Sequence, residues 1–255
     1  MNTGICLQRS EVINKSTAEE DEEKSLLIYS LLIFLNQRTR MLTPEIFFDL
    51  STFSHREVFL EKKPVWESLK RLKAYLEKLE LGNIECPIPE GVFLVNPEGI
   101  SIGLGTIIEP GAYIEGPTVI GKDCTIRHGA YIRGNSLIGD RCIIGHSTEV
   151  KHAIFLNDAK APHFNYVGDS ILGNHVNLGA GVICANFRLD HEEVVIEVEG
   201  DLYRTGTNKF GAILGDRSQL GCNSVTNPGV LLRKKTYSRA CTSIQKSNIR
   251  LVKHV

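Results

Sequence analysis

Starting at Ile102, an apolar residue recurs at every sixth position: Ile108, Ile114, Ile120, Ile126, Ile132, Ile138, Ile144, Val150 and Leu156 follow in turn. Four places after most of these stands a small or compact residue, among them Thr106, Ala112, Cys124, Ala130, Cys142 and Thr148. An α-helix repeats near 3.6 residues and a strand alternates at 2, so neither gives this period. A triangular β-solenoid does. Each hexad forms one flat side with its apolar residue inward, three sides make a coil of about 18 residues, and coils stack at ~4.8 Å. The fold class predicted over residues 88–246 is therefore an all-β solenoid, a left-handed parallel β-helix of hexapeptide repeats.

The pattern is interrupted twice. Hexads starting at Tyr166, Leu172 and Leu178 run four residues out of phase with Leu156, which predicts an extruded loop at 157–165 containing His163. Such a loop on a rigid solenoid is a natural place for chemistry. Residues 187–208 hold two β-rich stretches around Gly200-Asp201 and read as an inserted hairpin. The period resumes at Leu214, Leu220, Thr226 and Leu232.

Stacking at 18 residues puts Arg133 beside Lys151, each one place after an inward residue. Two cations about 5 Å apart suit a phosphate between them, and Arg grips phosphate in a fork. The alternative is a surface ion-pair ladder with Glu115 and Glu149, which has little energetic value. His163 is either a surface residue or a general base, since an imidazole titrates near ~6.5. His128 and His146 also lie one coil apart, but no H-x4-H occurs, and no metal is expected.

Net charge is −1, so the whole chain has no polyelectrolyte character and no nucleic-acid partner is expected. Acids crowd residues 11–23, whereas after Asp216 only Lys and Arg remain among the charged residues, ending in a basic tail at 247–255. Seven scattered cysteines without a C-x-x-C pair point to a reducing compartment and free thiols, hence a cytoplasmic protein. The apolar run Leu26–Leu35 is too short to span a bilayer and lies in an N-terminal extension, 1–43. Residues 44–82 are predicted to form a helical cap, opening at Pro64, with Val65, Leu69, Leu72, Leu76 and Leu79 as its stripe and Gly82 as its stop.

From Arg127 onward the runs RHGAYIRGN, GHSTEVK, APHFNYVGDSILGNHVNLGAG, CANF and TNKFGAILGD resemble the C-terminal acetyltransferase domain of the bifunctional enzyme that makes UDP-N-acetylglucosamine. The chain is most similar to short relatives of that enzyme. The resemblance implies an acetyl-CoA-dependent N-acetyltransferase acting on an amino-sugar phosphate such as glucosamine 1-phosphate, and a homotrimer. His163 matches the family's catalytic base. Arg133 and Lys151 match the pair that holds the sugar's phosphate, Tyr166 and Asn177 match residues that hold the sugar ring, and Lys209 matches the lysine of the family's substrate-binding Asn-Lys pair. Ala180, Asn186, Phe187, Cys222 and Ala240 match positions along acetyl-CoA. Departures are Phe187 for a common Tyr, Cys222 for a common Ser, and Pro162 for Gly. No Gly-rich LxxGxGTR-like run precedes residue 90, so nucleotide transfer is not expected. Two alternatives are a UDP-amino-sugar acyltransferase and a non-catalytic sugar-nucleotide-binding protein on the same scaffold, the latter suggested by the irregular hexads after Leu232.

Overall fold

The computed structural model describes residues 24–29, 42–245 and 247, and the chain divides into two compact units, Met1–Leu42 and Thr43–Val255. In the first unit residues 24–29 are helical, with Leu26, Leu27, Ile28 and Tyr29 exposed. Most of the predicted extension and nearly all of the basic tail lie outside the described residues.

The second unit is the expected parallel β-solenoid. Its strands stack into three parallel sheets of eight, seven and six strands, which form the three sides of the coil. The eight-stranded side includes Tyr113–Glu115, Tyr131–Ile132, Glu149–Lys151, Tyr166–Gly168 and Ile183–Cys184. The six-stranded side precedes it in each coil and includes Ile143–His146, Lys160–His163 and Asn177–Leu178. The seven-stranded side follows, with Ser136–Ile138 and Ile154–Phe155. One inward residue per side, from Ile102 to Val150 at period six and from Leu214 to Leu232, builds the continuous core. No helix among the described residues is long and apolar enough to cross a membrane.

The middle of the solenoid corrects the expected phase. Residues 157–165 form no extruded loop: Lys160–His163 is a strand, pairing Ala161 with Ile144 and His163 with His146. Two sides are instead one residue short. Phe155, not Leu156, stacks on Ile138, and Leu172 stacks on Phe155. Val167, not Tyr166, pairs with Val150 and points into the core. Leu156 is buried outside that core. Both deletions fall at the corner after the eight-stranded side, where His152 and Asp169 turn the chain with φ of 49° and 46°.

The second interruption is a hairpin, Val195–Val198 paired antiparallel with Asp201–Arg204, and a Phe187–Lys209 bridge closes its neck. The lead-in at 44–82 is less helical than expected. It holds Pro44–Phe47, a 3-10 turn at Arg56–Val58 and one ten-residue helix, Glu67–Leu76. Pro64 opens a tight turn rather than the helix itself, with Glu67 N–H donating to Pro64 O. The stripe Val65, Leu69, Leu72 and Leu76 is buried, whereas Leu79 lies past the helix end.

Candidate active site

His163 ends its strand at the corner between the six- and eight-stranded sides, and its side chain is exposed. The next residue, Phe164, turns the corner at φ 53°, a conformation that costs a bulky L-residue energy. Buried Asn165 holds the turn. Its Oδ1 accepts from His163 N–H at 3.1 Å and its Nδ2 donates to Gly179 O at 2.8 Å. Its own N–H donates to Thr148 Oγ1 at 3.3 Å, so the hydrogen bonds tie neighbouring coils together around the histidine.

The backbone ladder aligns one column along this corner. Gly181 N–H donates to His163 O, Asn223 N–H to Ala180 O, and Cys241 N–H to Cys222 O. Ala180, Cys222 and Ala240 thus stand successively one coil above His163. Below it, the His146 and His128 rings stack at 5.6 Å, each with Nδ1 bonded to a backbone carbonyl. Among the described residues no group of three or more His, Cys, Asp or Glu could hold a metal ion. The small residues of the upper column leave room for an extended thioester arm and so fit acetyl-CoA. Of the basic residues near the C-terminal end, Arg239 immediately precedes Ala240, whereas Lys234 pairs with Asp216 at 3.9 Å on another corner.

Across the eight-stranded side lie Tyr166, Lys151 and Arg133. Ile132 pairs with Val150, so Arg133 and Lys151 are coil neighbours as expected. Each already has a carboxylate partner. Arg133 Nη1 lies 3.1 Å from Glu149 Oε1, and Lys151 Nζ lies 3.3 Å from Asp169 Oδ2. The Glu149 bond holds the Arg133 pKa above its ordinary value. Asn186 Nδ2 donates to the same Asp169 oxygen at 2.5 Å. Burial, followed by the charges of Glu149 and Asp169, raises the Tyr166 pKa, against the opposing Asn186 hydrogen bond. Asp169 therefore joins Lys151 to Asn186 at the hairpin neck. It had not been singled out from the sequence, although a step of eighteen from Lys151 reaches it.

The remaining expected residues separate. Asn177 lies on the six-stranded side, paired with Lys160 and Gln219, around the corner from Arg133 and Lys151. Lys209 is exposed at the hairpin neck, and Phe187 packs edge-on to His191 at 5.0 Å.

Comparison with known proteins agrees with this architecture. The family model described as GMPPB C-terminal domain matches residues 114–249, more than half of the chain. The putative uncharacterized acetyltransferase YaiX of Escherichia coli is 34% identical over 168 residues, covering 66% of this chain and 73% of that protein. A bifunctional sugar-1-phosphate nucleotidylyltransferase/acetyltransferase of Sulfurisphaera tokodaii is 42% identical over 82 residues, covering 32% of this chain and 20% of that protein. The chain thus spans about a fifth of the length of the first curated relatives it matches. A solved UDP-N-acetylglucosamine acyltransferase from Campylobacter jejuni aligns over 61% of this chain and 62% of its own, at 16% identity and a TM-score of 0.31, too slight a likeness to carry an argument. On the family match and the extended identity to YaiX, the chain belongs to the GMPPB C-terminal domain family, within the hexapeptide-repeat acyltransferases.

Proposed function

We propose that the protein is an acetyl-CoA-dependent N-acetyltransferase whose acceptor is an amino sugar bearing phosphate. The observation that carries this reading is one continuous track. The Ala180–Cys222–Ala240 column climbs from His163, and Tyr166, Lys151 and Arg133 lead away from it across the eight-stranded side. His163 and the strand residue paired with Lys151 are five residues apart, at most ~17 Å along extended chain. That upper bound exceeds the reach of one sugar, so in this reading the long Arg133 and Lys151 side chains extend back towards His163 to hold the phosphate of the acceptor.

When bound, acetyl-CoA supplies a thioester carbonyl carbon, which the sugar amine attacks as the C–S bond breaks. His163 accepts the amine's proton and returns it to the departing thiol, so the imidazole ends as it began. Arg133 and Lys151 hold the phosphate, and Tyr166 and Asn186 border the sugar. We place Asn177 at the site from a neighbouring copy of the chain, the arrangement a homotrimer would give.

The test is thiol release from acetyl-CoA by the purified protein, offered a panel of amino-sugar phosphates. Release with an acceptor, reduced at least ~10²-fold in His163→Ala with acceptor affinity retained, is the expected outcome. A variant that kept its rate would remove His163 from the role of base.

A further inference from the structure

Phe164 has no part in the reaction described above, yet it stands beside the proposed base in a conformation that its neighbours explain only in part. The residues that turn this corner stack in one column, Gly129, Ser147, Phe164, Gly181, Asn223 and Cys241, all with φ between 50° and 73°. Glycine takes such a conformation without steric cost, and asparagine tolerates it. Phe164 is the one bulky side chain of the six. A large residue in the left-handed region is an outlier of the kind that clusters at ligand-binding sites. Its ring is edge-on to the His146 ring at 5.2 Å and tilted to the His163 ring at 6.5 Å, and the residue is 55% exposed. Gly181, one coil above it, has no side chain to cover it.

Resting on the acyl-transfer reading, we propose that the Phe164 ring is the end wall of the acyl subsite and restricts the transferred group to acetyl.

The direction of approach limits where the acyl tail can go. The thioester arm descends the Ala180–Cys222–Ala240 column, so its sulfur lies above the carbonyl carbon, and the amine attacks from the eight-stranded side. Oxygen and acyl tail divide the two directions left, outward and down the corner. Hydrogen bonding assigns them. The oxygen gathers negative charge during attack and needs a donor. Below His163 the His146 ring has none to spare. Its Nδ1 donates to His128 O at 2.9 Å, and in the neutral imidazole its Nε2 accepts from Ser147 Oγ at 3.3 Å. The tail therefore takes the downward direction, against Phe164. Size completes the argument. A methyl group fits against the ring, whereas each added methylene must displace a ring packed on His146 or turn into water. One methylene at an apolar subsite changes selectivity about 10- to 200-fold.

The experiment compares kcat/KM for thiol release from acetyl-, propionyl- and butyryl-CoA, with the panel of amino-sugar phosphates as acceptors. It uses the intact protein and two variants, Phe164→Gly and Phe164→Asn. Both substitutions remove the ring and suit the left-handed turn, and thermal melting checks that the corner is kept. The unsubstituted protein is expected to prefer acetyl over propionyl at least tenfold. Each variant is expected to lower that preference at least tenfold and to transfer butyryl as well. An unchanged preference in both variants overturns the wall and leaves the acyl-transfer reading intact. An unsubstituted protein that takes propionyl as readily as acetyl does the same. Variants whose only change is a raised KM for the acceptor place the ring against the sugar, which also overturns the wall. No release from any thioester, with any acceptor, by the unsubstituted protein overturns the acyl-transfer reading itself.

Discussion

At the scale of single residues, the corner at His163 is held by a side chain that does no chemistry. Asn165 accepts the histidine's own N–H and donates to the coil above, across a turn that Phe164 makes in an unfavourable conformation. Removing it leaves buried backbone groups unpaired, which costs about 1–3 kcal/mol. Asn165→Ala is expected to lower kcat about 10- to 100-fold through misplacement of the imidazole, with little change in KM for either substrate. Steady-state kinetics well below the melting temperature check this. A KM effect alone would make Asn165 merely structural. Cys222 is exposed in the column above, whereas Cys184 is buried and its thiol is pushed up to about 11. In a Cys241→Ser background, maleimide is expected to block acyl transfer through Cys222, and CoA is expected to protect it. Cys222→Ser should be resistant and active. His163, Arg133 and Lys151 were legible from spacing and resemblance. Asn165 was not, because a buried polar residue that satisfies backbone groups leaves no mark on apolar periodicity.

At the scale of elements, the coils show what a period can and cannot reveal. The inward positions from Ile102 to Val150 follow directly from the spacing. The next break did not, because a net loss of two residues and a gain of four leave the same phase modulo six. Only the pairing of Phe155 with Ile138 separates the two, and it converts an imagined loop into two tightened corners. One of those corners carries His152, whose Nε2 donates to Leu69 O at 3.0 Å and so docks the helix Glu67–Leu76. Within the same lead-in, His55 Nδ1 meets Tyr75 Oη at 3.0 Å. Burial depresses both histidine pKa values. Each therefore binds protons more weakly in the folded than in the unfolded chain, whose imidazoles titrate near ~6.5. Their contribution to stability is complete above that pH and is lost as pH falls through the depressed folded values. Melting temperature is expected to fall between pH 7.5 and 5.5, by roughly 2–4 °C per kcal/mol lost. His152→Gln should flatten that slope. An identical slope in the variant would place the titration elsewhere.

For the molecule as a whole, the decisive fact is the division of the expected site between two sides of one triangular coil. Tyr166, Lys151 and Arg133 face one way, and Asn177 lies around the corner on the six-stranded side. A rigid solenoid with a continuous core cannot bend to bring them together. In the proposed homotrimer, Asn177 contacts the sugar from a neighbouring copy, and a closed ring of three copies makes three equivalent sites. The side chains named were readable from the sequence. Their separation was not, because the six-residue period says which residues point outward but not which of them meet across a subunit boundary. Mixed assembly tests this. Lys151→Ala and Asn177→Ala are each expected to be nearly inactive alone. Co-expressed in equal amounts and assembled at random, they should regain about a quarter of wild-type activity, because a site needs one intact side from each of two copies. Mixing the separately purified and fully assembled proteins should restore nothing. Should co-expression also restore nothing, both residues serve one chain and the intersubunit site falls. Recovery from simple mixing would mean that copies exchange faster than the assay, and subunit exchange measured with differently tagged chains would settle the rate independently of activity.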